Sequence, residues 1–154
     1  MKRVAAIQMA SGPNVNANLL EAQRLIDQAV NAGAGLVVLP ENFAQMGNKE
    51  SDKLKIQEQP GEGPLQSFLA EQAKQHGIWL VGGAIPIATD DPGKVFASSL
   101  LFNDQGKQVA RYDKVHLFDV HISESNENYN ESETIKSGHD VMVVETPFGK
   151  LGMA

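Results

Sequence analysis

Four apolar residues in a row, Leu36 to Leu39, constrain this chain more than any other stretch. LVVL has no polar alternation, so a strand built from it has no face to give to water and must be covered on both sides. The residues before it repeat on a different period. Val15, Leu19, Ala22, Ile26, Ala29 and Val30 recur at helical spacing, with Gly33 where a helix would end. RVAAIQM, residues 3 to 9, suits a strand. Strand, helix, strand within about forty residues is a βαβ unit, whose helix carries the chain back between two parallel strands.

Downstream, residues 44 to 63 are polar and rich in Gly, Lys and Gln, and are expected to form a long surface loop. Pro64 suits the first turn of a helix whose inner stripe is Leu65, Phe68, Leu69, Ala73 and His76, closed by Gly77. IWLVGGAIPI, from Ile78, reads as another buried strand, with Gly82-Gly83 marking a bulge or a close approach of backbone. VFASSLLF, NDQG and KQVARYD give a hairpin signal, and VMVVET, TPFG and KLGMA give a second. Residues 115 to 140 keep no period and read as a long loop. Alternating strands and helices followed by antiparallel pairs predict an α/β fold with a mixed sheet.

The bulk numbers narrow the partners. With 154 residues, 42% of them hydrophobic and 21% charged, the chain has the composition of one folded domain. Its net charge of -6 argues against nucleic acid and against anionic membranes. There is no Cys, which removes disulfides and thiolate metal sites within these residues. The opening MKRVAAIQMA carries too short an apolar run for a signal segment, and a cytoplasmic protein is expected.

Chemistry has few places to sit. Glu41 follows LVVLP directly, so it stands at the C-terminal edge of the sheet, where α/β proteins place their ligands. A carboxylate partly desolvated there is a better base at neutral pH; a solvated Glu at a strand end is the other reading. Lys114, in RYDKVHLFDV, follows a strand and precedes Val115, Leu117 and Phe118. Its ammonium can face a developing oxyanion, or simply face water. His116, Asp119 and His121 raise the question of a metal. Their spacing matches no standard ligand pattern, so no metal is expected, and His116 is read as a hydrogen-bonded structural histidine. Glu124, Glu127, Glu131 and Glu133 read as a solvated face. Gly33-Ala34-Gly35 precedes a strand and fails as a dinucleotide loop, and no GxSxG elbow or phosphate-binding GxxxxGK[ST] loop is present.

Taken in order, VAAIQM, GAGLVVLPENF, GKQVARYDKVHLFDV and ETPFGKLGMA resemble the nitrilase, or carbon–nitrogen hydrolase, superfamily, from the first strand to the last residue. KVHLFDV followed by ESETIKSG is most similar to the Nit-type amidases, the branch with deaminated glutathione amidase and omega-amidase. The resemblance implies that residues 1–154 are the N-terminal part of a carbon–nitrogen hydrolase domain, about half of a four-layer αββα sandwich. It also implies a catalytic Glu, Lys and Cys. By position the Glu is Glu41 and the Lys is Lys114; a supporting glutamate falls on Glu131. The family's nucleophilic Cys follows a strand like KLGMA almost at once, so it is expected beyond Ala154, and these residues alone are expected to be inactive.

On that reading the substrate is a small carboxylated amide, opened through a Cys thioester with no cofactor, and the protein is a homo-oligomer. Phe43, beside Glu41, lines the pocket or packs in the core; the sequence leaves both open. A second reading also stands: a non-catalytic α/β module that binds a partner or dimerises. Ser98 and Ser99 lie inside a strand and do not replace the Cys.

Overall fold

A computed structural model describes residues 2–122 and 127–154, without the side chains at positions 121, 122, 127 and 128. Five strands form the main sheet in simple spatial order: β1 (Val4–Ala6), β2 (Leu36–Val38), β3 (Trp79–Ala88), β4 (Val95–Phe102) and β5 (Gln108–Asp113). β1, β2 and β3 are parallel; β3–β4 and β4–β5 are antiparallel. Two reversals restore direction, so β5 runs the same way as β2. The C-terminal ends of β2 and β5 therefore lie at one edge of the sheet.

Helix α1 (Val15–Asn31) begins where Asn14 Oδ1 accepts the Ala17 N–H at 3.1 Å, an N-cap. α2 (Pro64–His76) begins with proline and ends at Gly77 in the left-handed region. Both helices pack on one face of the sheet, with Ala22, Ile26, Ala29, Leu65, Leu69 and Ala73 against Val37, Leu80, Leu100 and Phe102. The opposite face holds Leu36, Val81, Leu101, Ala110 and Tyr112. It is covered by the hairpin of β8 (Met142–Thr146) and β9 (Gly149–Met153). LVVL thus divides its residues between two cores, Val37 on the helix side and Leu36 and Val38 on the hairpin side. That is why it has no polar face. Each such fully buried aliphatic side chain contributes about 1.5–3 kcal/mol before the cost of ordering the chain.

Two segments differ from the sequence expectation. The 44–63 stretch contains a 3₁₀ turn (Glu50–Ile56), and then Glu58 docks on β3 through its backbone, Glu58 N–H to Pro86 O at 3.0 Å and Ala88 N–H to Glu58 O at 2.9 Å. The Glu58 side chain, only 6% exposed, accepts hydrogen bonds from the Leu65 and Gln66 N–H groups at the start of α2. A carboxylate can be buried there because free helix N–H groups and the positive end of the helix dipole satisfy it. Within 115–140, β6 (Asp119–Ile122) pairs with β7 (Glu127–Asn130), followed by a 3₁₀ turn, Glu131–Glu133. Among its described side chains, Phe118, Val120 and Tyr129 are exposed, so these residues show no buried face that would impose a period.

Candidate active site

Glu41 sits in a tight turn after β2. The Phe43 N–H donates to Pro40 O at 3.2 Å, and Asn42 takes a positive φ of 57°. That left-handed residue reverses the chain. Glu41 then points into a cavity, while Phe43 turns into the helix-side core, where it is 0% exposed. Of the two readings of Phe43, packing is the one realised; it does not line the cavity. The turn is held by residues that sequence reasoning passed over. Buried Asn18, on α1, donates to Ala44 O (2.9 Å), and Ser11 Oγ donates to Phe43 O (3.1 Å). Gly83 lets the turn approach β3: a Cβ there would lie 2.2 Å from Pro40 O. The Gly82-Gly83 pair also sits at a register shift in β3, joining both features read from the sequence.

Lys114 follows β5 and is anchored by its backbone, its N–H on Ala97 O and its carbonyl under the Gly138 N–H, both at 2.9 Å. Its Nζ reaches Glu41 Oε1 at 3.0 Å and both oxygens of Glu131, at 3.1 and 2.9 Å. The Glu131 Oε2 atom also accepts the Phe118 N–H at 2.8 Å. Glu131 is therefore not part of a solvated face; its side chain is 20% exposed, whereas Glu133 is exposed. Glu124 and the side chain of Glu127 lie outside the described residues. Burial pulls the Lys114 ammonium towards deprotonation, but hydrogen bonds to Glu131 and Glu41, with their charges, outweigh it and hold the group above its ordinary value. Glu41 itself is 52% exposed, so the desolvation expected from its place at the strand end is slight in these residues.

The cavity measures about 410 Å³ and lies between the sheet and the β8–β9 hairpin. Val38, Val81 and Tyr112 form its sheet wall, and Leu151, Met153 and Ala154 its hairpin wall. Tyr112 also accepts the Val115 N–H at 3.2 Å, fixing the backbone just past Lys114. His116 is exposed on the cavity wall, not packed inside the protein as a structural histidine. Asp119 instead accepts the Ser132 N–H at 3.0 Å, and the side chain of His121 lies outside the described residues. Among the described residues no group of three His, Cys, Asp or Glu is placed to hold a metal, and no helix is long and apolar enough to cross a membrane. Ser98 Oγ donates to Asp113 Oδ1, and Ser99 lines the cavity.

A mixed sheet sandwiched between helices and a hairpin, with a Glu–Lys–Glu cluster at one strand edge, is an α/β layout. Residues 3–154 match the family model described as carbon–nitrogen hydrolase, and the chain belongs to that family, within the Nit-type branch of the nitrilase superfamily. It is 41% identical over 151 residues to deaminated glutathione amidase of Yersinia enterocolitica, covering 97% of this chain and 52% of the relative. It is 35% identical to omega-amidase NIT2 of Danio rerio, covering 98% and 53%. The solved NitFhit protein of C. elegans superposes with a TM-score of 0.85 at 28% identity, over 98% of this chain and 37% of that one. The chain thus spans about half the length of the curated relatives it matches.

Proposed function

We propose that this protein hydrolyses the C–N bond of a small carboxylated amide through a Cys thioester, with Glu41 as base, Lys114 as oxyanion partner and Glu131 as the residue that positions Lys114. The Cys is the one that the family resemblance implies beyond β9. One observation carries the reading: Lys114 Nζ lies within 3.1 Å of both carboxylates at the wall of a cavity completed by the end of β9.

In the proposed sequence Glu41 takes the thiol proton, and the thiolate attacks the amide carbon. A new C–S bond forms while the carbonyl electrons move to oxygen, where the Lys114 ammonium stabilises them. The oxyanion collapses, the C–N bond breaks, and ammonia leaves with the proton that Glu41 carries. Water, deprotonated by Glu41, then opens the thioester to the carboxylic acid and returns the thiolate. Glu131 keeps Lys114 charged and aimed throughout. The substrate class rests on the relatives, named for deaminated glutathione and for omega-amides. Self-association and a cytoplasmic location belong to the same proposal.

The test is ammonia release by the full-length protein from deaminated glutathione and from an omega-amide. Activity lost in Glu41→Gln and in Lys114→Ala, with one acyl adduct on one thiol by intact mass, is expected. Wild-type turnover in both variants contradicts the role assignments. A protein with no adduct and no ammonia release favours the alternative, a binding or dimerisation module.

A further inference from the structure

On the hairpin side of the sheet, β4 and β5 face each other in three cross-strand rungs. Leu101 stands opposite Ala110 and Ser99 opposite Tyr112, and Ala97 O accepts the Lys114 N–H at 2.9 Å. Residues two apart on a strand share a face, and Ala97, Ser99, Tyr112 and Lys114 all line the cavity. Leu101 and Ala110 are buried and do not line it. The Ser99–Tyr112 rung is therefore the inner limit of the cavity along these two strands. The outer rung holds the ammonium engaged by Glu41 and Glu131. The inner one carries a hydroxyl on each strand.

Both hydroxyls have a proton to give. Tyr112 Oη accepts the Val115 N–H at 3.2 Å, which uses a lone pair and leaves the O–H proton available. Among the described residues no acceptor takes it, although Tyr112 is only 8% exposed. Ser99 Oγ makes no hydrogen bond to a described residue, whereas Ser98, on the opposite face, donates to Asp113. Around this rung the side chains of Val38, Val81, Leu151 and Met153 are apolar and offer no competing acceptor. A polar group that entered here would meet two donors on an otherwise apolar wall.

We propose that Ser99 and Tyr112 form the subsite for the carboxylate of the substrate, each donating one hydrogen bond to it, while the amide group lies one rung outward at Lys114. The inference rests on the amidase reading above and assigns residues to the acidic end of that substrate. A carboxylate accepting hydroxyl protons makes charge-assisted hydrogen bonds, stronger than neutral ones. Rungs on one face lie about 6.7 Å apart along a strand, a separation that suits a short chain with an amide at one end and a carboxylate at the other. Lys114 is thereby kept for the oxyanion, and neutral donors hold the charge that stays constant through the reaction.

The test uses the full-length protein with two amides of equal chain length, glutaric acid monoamide and pentanamide, which differ in a carboxylate against a methyl group. The readout is the ratio of their kcat/KM values for ammonia release, in wild type, Ser99→Ala, Ser99→Thr and Tyr112→Phe. The ratio cancels losses common to both substrates, including any that follow from freeing the Val115 N–H in Tyr112→Phe. Wild type is expected to prefer the carboxylated amide. Ser99→Ala and Tyr112→Phe are each expected to lower the preference about tenfold, the worth of one hydrogen bond to a charged group, chiefly through a higher KM for the carboxylated amide. Ser99→Thr keeps a hydroxyl and is expected to keep the preference. A wild-type ratio in either Ser99→Ala or Tyr112→Phe, at the wild-type melting temperature, overturns the proposal, as does a Ser99→Thr ratio no better than that of Ser99→Ala. If Tyr112→Phe does not fold, the two Ser99 variants decide. A wild type that releases ammonia from neither amide overturns the amidase reading itself, whereas a wild type that turns over both without preference overturns only the carboxylate subsite.

Discussion

Lys114 Nζ stands 3.0 Å from Glu41 Oε1 across 73 residues of sequence, each side chain leaving the same edge of the sheet from a different strand. Neither residue is near the other without the intervening antiparallel pair, which returns the chain to the direction of β2. The contact is a product of topology, and it gives the first prediction. In the full-length protein Glu41→Gln keeps the shape and removes the carboxylate proposed as the base. Ammonia release is expected to fall by about 10²–10⁴-fold, the usual worth of a positioned general base, with little change in melting temperature.

Lys114 sets an alkaline limit. Its folded-state pKa is raised above the ordinary lysine value of about 10.4. A cation with a raised folded pKa contributes stability that is fully present below its unfolded pKa and is lost as pH rises through the folded one. The melting-temperature advantage of wild type over Lys114→Met is therefore expected to be constant from pH 7 to about 9.5 and to shrink above about 10.4. An advantage that shrinks well below that range contradicts the ion-pair account.

Gly83 is a steric requirement. Gly83→Ala forces a methyl to within 2.2 Å of Pro40 O and 2.6 Å of Leu39 O, backbone atoms of the turn that presents Glu41. Overpacking of this kind costs about 1–3 kcal/mol. Reduced stability in urea is expected, and with it a drop in ammonia release per folded molecule, because the turn must shift. Lost stability with full specific activity would show that Glu41 does not depend on this approach.

Glu58 separates fold from chemistry. It accepts the first N–H groups of α2 and the Gln66 side chain at 3.0 Å, and hydrogen-bonds to none of Glu41, Lys114 and Glu131. Glu58→Ala leaves buried donors without partners, at a cost of about 1–3 kcal/mol. Chemical denaturation is expected to show that loss, while activity per folded molecule stays close to wild type.

Legibility followed burial. LVVL, the α1 stripe and the β4–β5 hairpin are readable because each buries a regular face, and burial imprints a period on sequence. Glu41 and Lys114 are readable as strand-end residues for the same reason. β6 and β7 escape because, among their described side chains, Val120 and Tyr129 stay exposed, as does the neighbouring Phe118, and enforce no alternation. Glu58 escapes because an acid in a polar stretch looks solvated until a helix start is seen to receive it. Phe43 is ambiguous because its direction depends on a single backbone angle at Asn42, which composition does not encode. Glu131 required the family resemblance; its neighbours Glu124, Glu127 and Glu133 are equally acidic on paper.

The hairpin joining β4 to β5 carries a consequence for how this chain tolerates length changes. Its turn, Asn103 to Lys107, fixes which residues of β5 meet β4, from Leu101 opposite Ala110 to Ser98 opposite Asp113. Side chains alternate sides along a strand, so parity matters more than size. An insertion of one residue that propagates into β5 would carry Tyr112 to the helix side and turn Lys114 away from its two acids, with no existing residue replaced. A library of insertions between Lys107 and Ala110 should therefore show an even–odd rhythm of survival, a signature of geometry where amino-acid identity is held constant.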